Sequence, residues 1–197
     1  MIELRNLLIG YSRDKPLLTE INFTFQDQIY GILGKSGIGK TTLLRTIAGL
    51  NKSLSGEVYN PDNKKIYMMH QNYTCFDWLK VIDNVLISAK VNHIDITSDV
   101  KQKAFDCIEK VGLSGFENYY PAEISGGMRQ RLALARTIFV NPSIILMDEP
   151  FSSLDDNTRA HIQDIVLEIH RKTKNTIIMV THSQVEADKM CDYIIKL

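Results

Sequence analysis

Gly34-Lys35-Ser36-Gly37-Ile38-Gly39-Lys40-Thr41 decides how this chain is read. The stretch satisfies G-x-x-x-x-G-K-[ST] at every required position. The apolar run Ile29-Tyr30-Gly31-Ile32-Leu33 precedes it and reads as a buried strand. Thr42-Leu43-Leu44-Arg45-Thr46-Ile47-Ala48 follows it and reads as a short helix stopped by Gly49. Strand, glycine-rich loop and helix together form a phosphate-binding context. Glycines allow backbone N–H groups to curl around anionic oxygens, and the helix N-terminus adds its positive dipole end. In such a loop Lys40 is expected to reach the β- and γ-phosphates, and Thr41 to offer its hydroxyl to Mg²⁺.

Working upstream, residues 2–9 and 17–25 alternate between apolar and polar, which predicts two strands of an antiparallel β layer. Residues 10–16, Gly10-Tyr11-Ser12-Arg13-Asp14-Lys15-Pro16, read as the turn between them. Tyr11 on that turn is either an aromatic platform for a base or an ordinary packing tyrosine.

Downstream, 55–59 and 65–69 read as two short strands around the turn Asn60-Pro61-Asp62-Asn63. Gln71 lies just past the second of these, where open α/β sheets place their ligands; a plain loop glutamine is the alternative. From Trp78 to about Thr137 the pattern is helical. Val81, Ile82, Val85 and Leu86 form one apolar face, and Ala104, Phe105, Ile108 and Val111 a second one that stops at Gly112. Residues 88–100 between them read as polar and irregular. A helical subdomain over about 75–138 is therefore expected between the glycine-rich loop and the next strand.

Ser125-Gly126-Gly127 opens a further helix with Ser125 as N-cap, and is a second potential anion site. Ile144-Ile145-Leu146-Met147-Asp148-Glu149 is a buried strand ending in two carboxylates. An apolar strand that delivers an aspartate is the pattern that supplies a Mg²⁺-directed carboxylate beside a phosphate loop. Glu149 stands one residue on, where a base could meet an attacking water. Ser152-Ser153-Leu154-Asp155 reads as a turn. Ile162, Ile165, Val166 and Ile169 then mark one face of an amphipathic helix, and Thr176-Ile177-Ile178-Met179-Val180 a buried strand with Thr181-His182-Ser183 at its end.

Bulk composition bounds the class. The chain has 197 residues, 44% hydrophobic and 23% charged, an ordinary globular balance that suits one domain. Lys+Arg and Asp+Glu are both 23, so the zero net charge gives no support for nucleic-acid binding. No apolar run approaches the roughly 18 residues of a membrane span. The N-terminus lacks the apolar core of a signal peptide. Cys75, Cys107 and Cys191 are far apart without metal-ligand spacing, and read as reduced cytosolic thiols.

In order, Tyr11, the loop 34–41, Gln71, Ser125-Gly126-Gly127, Asp148-Glu149, Ser153-Leu154-Asp155 and His182 resemble the motif series of the ATP-binding cassette ATPases over essentially the whole chain. The resemblance implies an α/β fold with a P-loop NTPase core. The sheet would be mainly parallel, with an N-terminal antiparallel β subdomain and an inserted helical subdomain, all in one domain over 1–197. It implies roles as well. Tyr11 would stack on adenine. Gly34, Lys35, Ser36, Gly37, Ile38, Gly39 and Lys40 would cradle the phosphates, with Thr41 on Mg²⁺ and Thr42 near the α-phosphate. Gln71 would sense Mg²⁺ and the γ-phosphate, Asp148 would face Mg²⁺, Glu149 would be the general base, and His182 would contact the γ-phosphate. Ser125, Gly126 and Gly127 would serve the ATP bound to a second subunit in a head-to-tail homodimer, with Asp155 at that contact.

Ile124-Ser125-Gly126-Gly127-Met128 departs from the family's Leu-Ser-Gly-Gly-Gln. Met128, Arg129-Gln130-Arg131 and the segment 76–85 resemble the nitrate, sulfonate and taurine importer branch. The chain also ends sooner after His182 than the family pattern does. The implied setting is the cytoplasmic face of a membrane. There the chain would dock peripherally on a separate transmembrane permease through the surface after Gln71, within a system that has an extracytoplasmic solute-binding protein. An efflux system is the alternative within transport. A regulatory module without turnover is the alternative outside it. Chromosome-type relatives carry long coiled coils, and no sustained heptads occur here.

Overall fold

A computed structural model describes residues 1–12, 14–70 and 75–197. The described residues form eight strands and six α-helices, which fall into two compact units. One gathers Met1–Gln71, Pro142–Pro150 and His170–Leu197, and the other Asn72–Asn141 and Phe151–Ile169.

The first unit holds two sheets. β1 (Ile2–Ser12), β2 (Lys15–Phe25) and β4 (Ser55–Tyr59) form an antiparallel sheet in the order β2-β1-β4. β1 and β2 run further than the alternation predicts. Gly10 pairs with Pro16 and Ser12 with Lys15, so most of the expected turn is ladder and Tyr11 is a strand residue. Pro16 is tolerated because β2 is an edge strand, where a missing N–H breaks no inner ladder. β3 (Ile29–Leu33), β5 (Ile66–Met69), β6 (Ile144–Asp148), β7 (Thr176–Val180) and β8 (Tyr193–Lys196) form a wholly parallel sheet in the order β5-β6-β7-β3-β8. The strands either side of Asn60-Pro61-Asp62-Asn63 are therefore not partners, since β4 joins one sheet and β5 the other.

β3, β6 and β7 are buried at every position, which explains why they read as unbroken apolar runs. α1 (Lys40–Ile47) buries Leu43, Leu44 and Ile47 in one cluster with Ile2, Leu4 and Leu7 of β1, Ile32 of β3, Ile144 and Leu146 of β6, and Ile178 and Val180 of β7. The helix after the glycine-rich loop is thus fixed between the two sheets, and the loop is anchored at both ends. α6 (Gln184–Met190) starts at an N-cap, the Ser183 hydroxyl accepting from the Glu186 amide at 3.3 Å.

The second unit is helical, with α2 (Val81–Val91), α3 (Ser98–Lys110), α4 (Gly126–Val140) and most of α5 (Asp156–Thr173). α2 and α3 reach into the stretch expected to be irregular, leaving only 92–97 as connector. The Thr97 hydroxyl caps α3 by accepting from the Val100 amide. Ala104, Cys107, Ile108 and Val111 are buried, but Phe105 is exposed, because Cys107 rather than Phe105 completes the buried face. No helix among the described residues is long and apolar enough to cross a membrane. All three cysteines are free thiols, and burial pushes Cys75 up to about 11 and Cys191 up to about 12.

Candidate functional site

The loop 34–39 leaves the C-terminal end of β3 and enters α1. Gly39 has φ +112, a conformation that L side chains rarely adopt, and a Cβ there would stand 3.1 Å from the Leu17 Cβ. Gly37 has φ +82 with nothing within 4 Å of its missing Cβ, so a left-handed turn faces open space. Lys35, Ser36 and Gly37 are exposed around that opening, whereas Gly39 and Lys40 are buried.

Lys40 is only 7% exposed. Its ammonium donates to the carbonyl oxygens of Gly34 at 2.7 Å and Lys35 at 3.0 Å. Among the described residues it makes no ion pair with an acid. A buried cation held by carbonyl oxygens alone is short of negative charge, and the open concave loop beside it is where an anion would supply that charge.

Strand order brings the acids to the loop. β7 lies between β3 and β6. The Thr181 amide donates to the Ile32 carbonyl at 3.3 Å and the Glu149 amide to the Val180 carbonyl at 3.0 Å, so the ends of all three strands are tied together. Asp148 is 2% exposed. The Thr41 hydroxyl donates to Asp148 Oδ1 at 3.1 Å. Burial pushes the Asp148 carboxyl up from its ordinary range and the neighbouring Glu149 adds to this, while the Thr41 hydrogen bond, His70 and Lys40 pull the other way. A hydroxyl and a carboxylate oxygen at hydrogen-bond distance are the hard donors a Mg²⁺ ion takes, with phosphate oxygens and water completing its shell. The residues present therefore fit MgATP in both charge and donor type.

Glu149 has φ +49, uncommon for a residue with a Cβ and characteristic of over-determined backbone at functional sites. Its Oε1 lies 3.6 Å from Nδ1 of His182, whose side chain is 69% exposed. Thr181 Oγ1 donates to Glu186 at 2.6 Å and accepts from the Ser183 amide at 3.1 Å, which fixes the backbone around His182.

Lys40, Thr41, Asp148, Glu149 and His182 thus meet at one end of the parallel sheet. Tyr11 belongs to the same unit and is 88% exposed. Thr42 lies on the first turn of α1. Gln71 lies outside the described residues. Ser125, Gly126 and Gly127 belong to the helical unit. There the Ser125 hydroxyl accepts from the Met128 amide at 3.2 Å and caps α4, and Ser125 and Gly126 are exposed. Asp155 caps α5, its Oδ1 accepting from the Thr158 amide at 3.0 Å, and that bond holds its carboxyl below the usual range.

Two positions carry no motif signal. His70 comes close enough to Asp148 and Arg45 to feel both charges, and burial chiefly pushes its pKa down. Asn84 is fully buried and bonds Phe76 through both its amide and its carbonyl, at 2.8 and 3.1 Å, and the carbonyls of Leu79 and Lys80 at 2.9 and 3.2 Å. Its polar type within the apolar face of α2 was the available clue.

The model of one family, described as "ABC transporter", matches residues 18–152. The chain belongs to the ABC transporter family. Among its curated relatives is a sulfate/thiosulfate import ATP-binding protein (CysA 2) of Rhizobium meliloti strain 1021, 38% identical over 91% of this chain and 53% of its own length. An aliphatic sulfonates import ATP-binding protein (SsuB) of Bacillus thuringiensis subsp. konkukian strain 97-27 is also 38% identical, over 91% of this chain and 72% of its own. The chain spans about half the length of the CysA relatives it matches. Among solved structures, the dimeric post-hydrolysis state of the ATP-binding cassette MJ0796 bound to ADP and Pi superposes with a TM-score of 0.90. It is 28% identical and covers 100% of this chain and 94% of that one. This ABC transporter chain thus has the expected α/β fold, with its antiparallel subdomain, parallel sheet and helical insert.

Proposed function

We propose that this chain is the ATP-hydrolysing subunit of an importer for a sulfur oxyanion of the sulfate or sulfonate class. The observation that carries the reading is the buried Lys40 ammonium, held among the described residues by loop carbonyls, beside the Thr41–Asp148 pair and the Glu149–His182 pair. The names of the relatives supply the direction and the class of solute. The solute itself would be read by the permease and an extracytoplasmic binding protein. The chain would act as one ATPase domain over 1–197, docked peripherally at the cytoplasmic face.

ATP would lie over the loop with adenine on Tyr11, its phosphates taken by Gly34, Lys35, Ser36, Gly37, Ile38, Gly39, Lys40, Thr41 and Thr42. Mg²⁺ would be held by Thr41 and Asp148, with Gln71 completing the protein's share, and would neutralise charge that develops on the phosphates. Glu149 accepts the proton of the attacking water, and a carboxylate half-buried at a strand end is placed for that task. His182 holds the Glu149 carboxylate on one side and the γ-phosphate on the other. Ser125, Gly126 and Gly127 would close over the ATP of a second copy, giving a head-to-tail homodimer. The dimeric MJ0796 structure bound to ADP and Pi supports a dimer as the working unit.

The test separates binding from turnover. Glu149→Gln keeps shape but takes no proton, so the variant should bind MgATP, release no phosphate, and run as a dimer in sizing chromatography with light scattering. Bound ATP then bridges two chains and stabilises the dimer by mass action. Adding Ser125→Arg should return it to monomer with ATP still bound. A wild-type chain that releases no phosphate from MgATP, or a Glu149→Gln chain that hydrolyses ATP as fast as wild type, would refute the assignment. The importer reading is tested separately by the uptake of radiolabelled sulfate and taurine in cells lacking the gene.

A further inference from the structure

Phe151 to Asp155 form the turn that begins two residues after Glu149 and leads into α5. Phe151 and Leu154 are buried, while Ser152, Ser153 and Asp155 are exposed. Within the turn, the Leu154 amide donates to the Phe151 carbonyl at 3.3 Å. A bond that long is a weak tether for irregular backbone. Two carbonyls of the turn also accept from a side chain outside it. Arg159, on the first turn of α5, donates from Nε to the Phe151 carbonyl at 3.4 Å and from Nη2 to the Leu154 carbonyl at 2.6 Å. Its Nη1 donates to Asp156 Oδ1 at 2.7 Å, which holds the guanidinium in plane, and its own amide donates to the Asp155 carbonyl at 2.8 Å. One side chain therefore spans both ends of the turn, a task for which a planar fork of donors is suited and a point charge is not.

The turn in turn meets the Ser-Gly-Gly segment of the same unit. A Cβ on Gly127 would stand 3.3 Å from the Ser153 carbonyl oxygen and 3.5 Å from Leu154 Cδ2. The first turn of α4 is thus seated on the very carbonyl-bearing segment that Arg159 fixes. We infer that Arg159 is a positioning residue, which locks the 151–155 turn and through it presents Ser125-Gly126-Gly127 and Asp155 as one rigid surface to a second copy of the chain. The inference rests on the proposed ATPase dimer. The Arg159 side chain bonds to the turn and to α5, so Arg159 is assigned to turnover and not to nucleotide affinity.

The experiment compares wild type with Arg159→Met and Arg159→Lys, each checked for folding by circular dichroism. Hydrogen exchange is measured on peptides covering 151–158 and 128–140, together with the ATP dissociation constant and kcat. In Arg159→Met the 151–158 peptide should exchange about tenfold faster, the equivalent of one charge-assisted hydrogen bond, while 128–140 is unchanged. kcat should fall about tenfold with ATP affinity within about twofold of wild type. Arg159→Lys keeps the charge and the Asp156 pairing but not the fork, and should fall between the two. Unchanged exchange in 151–158, wild-type behaviour of Arg159→Lys, or a kcat equal to wild type would each overturn the inference. A wild-type chain without phosphate release would fail the ATPase reading instead, and the exchange measurement would still decide whether Arg159 holds the turn.

Discussion

Thr41→Val isolates one contact at the centre of the site. The substitution is nearly isosteric, and Val and Thr have similar helix propensities, so the main loss is the hydroxyl that donates to Asp148 Oδ1 at 3.1 Å. A hydrogen bond to an ionised acceptor contributes about 1.5–3 kcal/mol. Thr41 is exposed on its own side, so water compensates in part and the low end applies, about 1.5 kcal/mol. For a chain of this size that predicts a Tm lower by roughly 3–6 °C in the ligand-free protein. The loss should depend on pH with a definite sign. Asp148 has a raised native pKa, so the native state binds more protons than the unfolded state between the ordinary aspartate range and that raised value. Its contribution to stability therefore falls as pH rises through this window and is flat above it. The Thr41 bond favours the ionised form. The Thr41→Val penalty is thus full at neutral pH, shrinks as pH falls through the raised native pKa, and is gone once Asp148 is protonated in both states. Thermal melts at several pH values on wild type, Thr41→Val, Asp148→Asn and the double variant form a cycle whose coupling should be about 1.5 kcal/mol at neutral pH. Thr41→Ser should restore the wild-type melt. A coupling within error of zero at neutral pH, or a penalty that grows on acidification, would refute the reasoning.

Lys40→Ala should weaken ATP binding at least about a hundredfold, as two charge-assisted contacts of about 1.5 kcal/mol each are removed. Equilibrium dialysis with labelled ATP measures it, and wild-type affinity would remove the phosphate site from the loop. Tyr11→Ala should weaken ATP binding by about 1 kcal/mol, roughly fivefold, the scale of an aromatic stacking pair, while Tyr11→Phe should match wild type. Equal affinities in all three would make Tyr11 an ordinary surface tyrosine.

Much of the fold was legible in the chain because burial leaves a local trace. Residues 29–33, 144–147 and 177–180 are apolar without alternation, as a strand covered on both faces has to be over most of its length. The glycine-rich loop was legible for a similar reason, since positive φ at Gly37 and Gly39 admits few other residues. Ser125 as a cap followed from a hydroxyl set just before a helical run. Pairing is a different matter. Nothing local told β4 to join β1 while β5 joined β6, and the reading of two short strands around a turn left their partners open.

The sequence alone determined which residues are chemically competent, because an ammonium, a carboxylate or a missing Cβ is a property of one position. Only the tertiary structure decided which of them meet. The insertion of β7 between β3 and β6 carries His182 to 3.6 Å from Glu149 and leaves Asp148 within reach of Thr41. Asn84 and Arg159 bind backbone carbonyls of distant or irregular segments, and such bonds leave no periodic mark in a sequence. Strand order is set by which edges can be covered together across long stretches of chain, a global balance of burial and backbone hydrogen bonding that no short window of residues contains.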